Sequence, residues 1–327
     1  MSHTRINVAT ALNSKYMRYA YVMLTSLFKN QSDAKIHVYL LHSNLTQQDQ
    51  DYLQRLAQEY SHTIHFLPID NNMFSDNLPT TEAWPLEAYY RLMLVDILPE
   101  DVDRLLYLDV DMIINRPILD MYCTAFEDNL LCVCKDMGAQ IPFPDAIRNE
   151  LFKEHIASGF AYFNSGMLLW NIAKMRGKYN FKFYMDVAKE LHYQILAPDQ
   201  DLLNYIHWQN VKFLDEYQYN LFARLSFQHD IHYDDVKKET TIVHYPGMKP
   251  WEGEYVHYDI EQLWWDYAKL TPFYQEFTEE FTQHCINSPL IYDTMTSMSN
   301  EKKQLQSELE KSIATCQKLL QMINLPS

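Results

Sequence analysis

Three observations predict an α/β fold, a mostly parallel sheet flanked by helices. Short apolar runs alternate with segments of helical spacing over about the first hundred residues, as in βαβ units. An Asp109-Val110-Asp111 triplet closes one of those runs, at the strand end where open sheets of this kind bind ligands. Beyond about residue 255 the strand pattern stops and the chain turns helical, which marks a helical C-terminal extension.

Ile6–Ala11 reads as the first strand. Tyr16–Phe28 reads as a helix, with Tyr19, Val22, Met23, Ser26 and Leu27 at helical spacing. Ile36–Leu41 is a second strand, and Thr46 is a suitable N-cap for the next helix, which carries Leu53 and Leu56. Ile64–Leu67 gives a third strand, Ala88–Ile97 a helix, and Leu105–Leu108 a fourth strand running into the acid triplet. Leu130–Lys135 is a further strand. Phe163-Asn164-Ser165-Gly166 reads as a turn leading into another that ends at Trp170. Phe181–Leu191 and Asp201–Trp208 are expected to be helical, and Thr241–His244 is a short strand before a polar loop.

The domain division that follows is an α/β domain over 1–255 and a helical region over 256–327. That region opens with Leu263-Trp264-Trp265-Asp266-Tyr267, for which core packing is the simplest role. It ends in an amphipathic helix over about 300–324, where Leu305, Leu309, Ile313, Cys316, Leu320 and Ile323 recur at spacings of three and four. Packing back on the domain and self-association into a homodimer are both open readings of this helix. Its polar face mixes Glu with Lys, which argues against a membrane-surface helix.

Hydrophobic residues make up 47% of the 327 residues, enough for a sizeable core, and the formal charge of −16 argues against a nucleic-acid partner. No apolar run approaches the length of a transmembrane segment, and a basic-then-apolar leader is not seen. Five cysteines, an odd number, fit a reducing compartment, so the expected location is cytoplasmic. Cys132 and Cys134 share one face of a strand and read as buried thiols.

Carboxylates two apart on a strand project to the same side, so Asp109 and Asp111 can grip a hard divalent cation and leave positions for water and phosphate oxygens. The loop after the first strand, Ala11–Tyr16, opens at the same end of the sheet. His244 closes a strand and can offer an imidazole to a borderline cation. Gly247 permits close backbone approach, and Lys249 supplies a positive charge.

Taken in order, Asp109-Val110-Asp111, Phe163-Asn164-Ser165-Gly166, Asp199-Gln200-Asp201 and His244-x-x-Gly247-x-Lys249-Pro250-Trp251 resemble family 8 of the retaining glycosyltransferases. This is the group of glycogenin and the bacterial lipopolysaccharide galactosyltransferases, and the resemblance covers roughly residues 5 to 255. It implies a Rossmann-like fold of the GT-A type, Mn²⁺ as metal with Mg²⁺ as the alternative, and a UDP-sugar donor. By position, Asp109, Asp111 and His244 match the metal ligands, which also makes the two acids catalytic. Tyr16 matches the aromatic stacked on uracil, with Ala11 and Asn13 in the same nucleotide loop and the Val110 backbone near the ribose. Arg91 matches an arginine that reaches the donor. Asn164 and Ser165 match the sugar-contacting loop, Asp199 and Gln200 the pair beside the transferred sugar, and Gly247 and Lys249 the phosphate clamp. Asp136 falls where the family often has an acid near the donor or acceptor sugar. Two departures stand out: Asn13 replaces a common Asp, and only Met248 separates Gly247 from Lys249, where many members have two residues.

The resulting expectation is transfer of glucose or galactose from UDP to a hydroxyl of a glycan, glycoprotein or glycolipid, by front-side attack, as in bacterial glycan biosynthesis. The site of action is the cytoplasm or the inner membrane face. Two other classes remain readable from the same acid pair: a metal-dependent nucleotidyltransferase, and a scaffold subunit that keeps the fold with weak turnover. The first lacks an early glycine-rich phosphate loop, since no Gly precedes Gly138.

Overall fold

The computed structural model describes residues 4–74, 78–81, 85–253, 257–288 and 290–323, the last as backbone only at 290–292 and 316–323. Ten strands occur among them: β1 Thr4–Leu12, β2 Ala34–His42, β3 Thr63–Pro68, β4 Leu105–Leu108, β5 Met112–Ile114, β6 Leu131–Lys135, β7 Phe163–Trp170, β8 Val211–Leu214, β9 Leu221–Phe222 and β10 Ile242–His244. Seven form one sheet in the order β3-β2-β1-β4-β7-β6-β8, and β5-β10-β9 form a second.

The first four strands of the large sheet run parallel, because helices carry the chain back between them. Met17–Lys29 buries Val22, Met23 and Leu27, and Gln47–Glu59 buries Leu53 and Leu56, so the apolar spacing faces the sheet as expected. Thr46 does cap the second of these helices, closing a capping box with Asp49. Strand β7 then runs antiparallel to both β4 and β6. Every residue of β4 and β7 is buried, as befits central strands covered on both faces.

Two local expectations are corrected. Phe163–Gly166 is not a turn but the start of β7. Asn164 and Ser165 can sit in this buried strand because their side-chain polar atoms find partners. Ala88–Ile97 is not one α-helix: Leu86–Met93 is a 3₁₀-helix that passes into a single α-turn, Leu94–Ile97. Residue Cys132 and Cys134 are buried thiols on β6.

The described residues up to 250, with 257–275, form one compact unit; 251–253 with 276–323 form a second. Within the first unit the aromatic segment packs as core. Trp264 is fully buried, the Tyr267 hydroxyl accepts from Asn30 Nδ2 at 2.7 Å, and Phe273 meets Tyr21 edge-on at 5.4 Å. In the second unit the helix Leu290–Ile323 runs 34 residues, starting earlier than the amphipathic pattern predicts.

One buried histidine gives the fold a pH dependence. His207 Nε2 pairs with the Tyr184 hydroxyl at 2.9 Å, Nδ1 has no partner among the described residues, and burial lowers the pKa from 6.5 to about 3. The folded state therefore refuses a proton that the unfolded chain takes up below about pH 6.5. Stability contributed by this group is complete above that pH and falls by at most about 1.4 kcal/mol per unit on the way down to pH 3. Urea midpoints measured between pH 7.5 and 5, as working points above and below the ordinary histidine pKa of about 6.5, should fall less steeply in His207→Gln than in the parent. Equal slopes would rule out this origin.

Candidate active site

The acid triplet lies just past the central strand β4, in the turn that leads to β5. The two carboxylates thus converge through a turn, and not through the strand alternation that their spacing predicts. Asp109 N–H is fixed to Gly166 O at 2.9 Å, which ties the turn to β7. Strand β10 pairs antiparallel with β5, setting His244 opposite Met112, and Tyr245 N–H donates to Asp111 O at 3.0 Å. This pairing brings a histidine from far along the sequence onto the acids. Ligand atoms of Asp109, Asp111 and His244 all lie within 4.8 Å of one another.

The donor set fits a divalent cation. Two hard carboxylates and one imidazole are ligands that Mn²⁺ or Mg²⁺ accept, and the imidazole favours the more borderline ion. The space is also kept clear: a Cβ on Gly166 would come 2.6 Å from His244 Cε1 and 2.8 Å from Asp109 Oδ2. Beside the cluster, Lys249 Nζ donates to Asp111 Oδ2 and, at 2.9 Å, to Tyr245 O. Burial alone would raise the Asp111 pKa, but Lys249 and His244 outweigh it and hold this carboxyl below the usual range. Burial raises that of Asp109, against the pull of Arg91. Gly247 has φ of +77°, a left-handed conformation that favours glycine, and so turns the loop that carries Lys249 back to the acids.

Arg91 is buried and serves as a hub. Its Nη2 meets Asp109 Oδ1 at 2.8 Å, its Nε meets Asp199 Oδ2 at 3.1 Å, its Nη1 donates to Ser165 O, and the guanidinium lies over Tyr107 at 4.3 Å. Burial would lower its pKa, yet Asp109 and Asp199 keep it raised, so the charge is permanent. Asp199 is the second residue of the helix Pro198–His207, not its N-cap, a position held by Ala197. Its Oδ2 also accepts from Ser165 Oγ at 2.8 Å.

Gln200 faces the same corner with a fixed amide. Oε1 accepts from Ser165 N at 2.9 Å and Asn164 Nδ2 at 3.0 Å, and Nε2 donates to Asp136 Oδ2 at 3.0 Å. The backbone donor allows no other orientation, so the amide cannot be flipped. Asp136 and Gln200, with Tyr162, Phe143 and Arg148, line a cavity of about 310 Å³. Asp201 points elsewhere: its oxygens accept from the Tyr162 hydroxyl at 2.6 Å and from the Leu196 and Ala197 amides.

Ala11, Asn13 and Tyr16 lie at or just past the end of β1, the parallel neighbour of β4. Continuing the register Ala9↔Tyr107 sets Ala11 level with Asp109. Asn13 Oδ1 is engaged as an N-cap, accepting from Lys15 N at 3.1 Å, and Tyr16 closes the short 3₁₀-turn Ser14–Tyr16 as a partly buried ring. Val110 occupies the turn between the two acids.

One residue escaped the sequence reading. Asn220 is fully buried, its Oδ1 lies 3.0 Å from His244 Nδ1, and its Nδ2 donates to Asn164 Oδ1 at 3.0 Å. Because Nδ2 is spent on Asn164, Oδ1 must accept the Nδ1 proton of His244. That leaves Nε2 on the side of Asp111, 3.4 Å away, as the nitrogen that would meet a bound cation. Asn220 thereby joins the metal-type cluster to the Asn164–Gln200–Asp136 network. A single Asn before β9 carries no motif, so no sequence signal could have singled it out.

The family model described as Glycosyl transferase family 8 matches residues 7–254. The chain is 26% identical over 258 residues to the lipopolysaccharide 1,2-glucosyltransferase of Escherichia coli, covering 75% of this chain and 73% of that protein. It is 25% identical over 253 residues to the lipopolysaccharide 1,3-galactosyltransferase of Salmonella typhimurium, covering 76% and 74%. The fold is similar to that of the galactosyltransferase LgtC, crystallised with donor and acceptor sugar analogs, with a TM-score of 0.65 at 21% identity over 85% of this chain and 96% of that one. Among the described residues no helix is long and apolar enough to cross a membrane.

Proposed function

From the premise that this chain belongs to glycosyltransferase family 8, a glycosyltransferase with a GT-A fold, we propose that it is a Mn²⁺-dependent, retaining hexosyltransferase. It moves glucose or galactose from UDP to a hydroxyl of a glycan, glycoprotein or glycolipid. The observation that carries this reading is the Asp109–Asp111–His244 cluster, which lies against the network of Arg91, Asp199, Gln200 and Asp136. Both glucosyl- and galactosyltransferases are among the relatives, which supports a hexose donor without choosing between them. A cytoplasmic site of action, in solution or at the inner membrane face, completes the proposal.

When bound, the ion supplies the positive charge that stabilises the departing diphosphate. The chain's own residues do the rest. Lys249 adds a second cation at the same corner, beside Asp111. Ala11, Asn13 and Tyr16 take the base, with Val110 near the ribose; Arg91 and Ser165 fix Asp199; Asn164, Asp136 and the locked Gln200 amide take the sugar. Gly247 shapes the phosphate clamp. The cavity beside Gln200 and Asp136 receives the acceptor.

Retention by double displacement needs a free carboxylate at C1. Asp199 is held by Arg91 and Ser165, and Asp201 by Tyr162 and two backbone amides, so neither is poised as a nucleophile. Front-side attack therefore fits better: the acceptor oxygen bonds to C1, the C1–O bond to phosphate breaks, and the departing phosphate oxygen takes the hydroxyl proton. Measuring UDP release from UDP-glucose and UDP-galactose with Mn²⁺, with EDTA and in Asp109→Asn tests the proposal. Release indifferent to both EDTA and the substitution would defeat it.

The role of Asn220 has its own test. Asn220→Leu should weaken divalent-ion binding about 10–100-fold, as for other partners that orient a metal-bound imidazole, whereas Asn220→Asp keeps an acceptor for Nδ1–H and should bind far better than Asn220→Leu. Mn²⁺ titration followed by electron paramagnetic resonance reads this directly. Equal affinities in the parent and Asn220→Leu would remove the role.

A further inference from the structure

The catalytic reading leaves the helix Leu290–Ile323 unused, and one face of it is apolar and open. Met295, Met298, Leu305, Leu309 and Ile313 are 48–67% exposed, a large share for side chains of this kind. With Lys302 they recur at spacings of three, four, three, four and four. The sequence continues through Cys316, Leu320 and Ile323 at three, four and three. Two blocks of heptad spacing are thus joined by one four-residue step at Leu309–Ile313, the signature of a coiled coil with a single stutter. The face runs from 295 to 323, roughly 43 Å of helix at 1.5 Å per residue.

The charges choose the occupant. Lys302 is the one polar residue in the stripe, and Glu301 precedes it on the flank. In a parallel, in-register pair of helices, a side chain at the position of Lys302 packs against the residue just before its counterpart on the other helix. Each Lys302 therefore meets Glu301 of the second copy, twice by symmetry. The groove around Met298, Leu305 and Leu309 already places Glu301 and Lys302 on its rim. An anionic membrane is a poor alternative, because Glu308 and Glu310 share the polar side with Lys303 and Lys311 and the chain carries −16 overall.

We propose that this helix pairs two copies of the chain as a parallel coiled coil, with Lys302 and Glu301 setting its register. Sedimentation of the full-length protein at micromolar concentration should show a dimer. Leu305→Glu with Leu309→Glu should give a monomer of unchanged circular dichroism at low wavelength. Glu301→Lys should raise the dissociation constant about tenfold by placing like charges together, and adding Lys302→Glu should restore it. UDP release by the Leu305→Glu, Leu309→Glu monomer should stay within about twofold of the parent, since neither residue belongs to the site; this keeps the result separate from the catalytic proposal. A monomer at every concentration, a dimer that survives the double substitution, or a charge swap that fails to restore pairing would each overturn the proposal. So would a monomer that binds phosphatidylglycerol vesicles through the same stripe.

Discussion

Asp111→Asn should lower kcat/KM for donor turnover about 10³-fold and also lower the melting temperature, because Lys249 and His244 hold this carboxyl ionised in the folded state. Asp111 reaches Lys249 and buried His244, whereas Asp109 reaches Arg91. Removing that charge takes one of three ligands from the ion and leaves Lys249 with the Tyr245 carbonyl. Asp109→Asn takes from buried Arg91 one of its two counter-charges and leaves Asp199, so there too the loss of activity comes with a loss of stability. Steady-state kinetics and thermal unfolding on both variants separate the two effects. An Asp111→Asn protein with near-parental kcat/KM in saturating Mn²⁺ would show that this carboxylate holds no ion that the reaction needs.

How far the sequence carried the site follows from what kind of signal each residue leaves. The parallel half of the sheet is legible because β1 and β2, buried on both faces, leave short continuous apolar runs, and the helices that follow them carry apolar residues at helical spacing. Asp109, Asp111 and His244 were legible as an ordered set, and the pairing of β10 with β5 is what brings them together. The start of β7 was misread, since Asn164, Ser165 and Gly166 have the composition of a turn. Only the partners offered by Asp136, Asp199, Gln200 and Asn220 make a buried strand of them. The 3₁₀ geometry of Leu86–Met93 was equally hidden, because a 3₁₀-helix and an α-helix share nearly the same spacing of apolar residues over two turns. Asn220 and the reason for Gly166 lie one step further from the sequence, because each depends on a side chain brought in from a distant strand.

Gly166→Ala is the sharpest test of that last point. Gly166 sits inside β7 without a left-handed backbone, so alanine costs nothing in local conformation and would ordinarily be favoured in a strand. What forbids it is the space: the new Cβ would lie 2.6 Å from His244 Cε1, 2.8 Å from Asp109 Oδ2 and 3.0 Å from Asn164 Oδ1. None of the three can yield easily. His244 is held by Asn220, Asp109 by Arg91, and Asn164 by Asn220 and Gln200. The displacement must therefore fall on the ligand geometry itself, where a shift of order 1 Å costs about 10²-fold in rate. We expect divalent-ion affinity and kcat/KM to fall together by about that factor, with an overpacking cost of about 1–3 kcal/mol in stability. Gly138→Ala is the control for ion affinity alone, since Gly138 lines the cavity beside Asp136 but its Cβ would meet Asp136 Oδ1 at 3.4 Å and apolar side-chain carbons at 3.8 and 3.9 Å, all ordinary contacts. Mn²⁺ titration on the two variants and turnover of Gly166→Ala decide it: parental ion affinity in a folded Gly166→Ala protein would mean that the cluster is not the metal site.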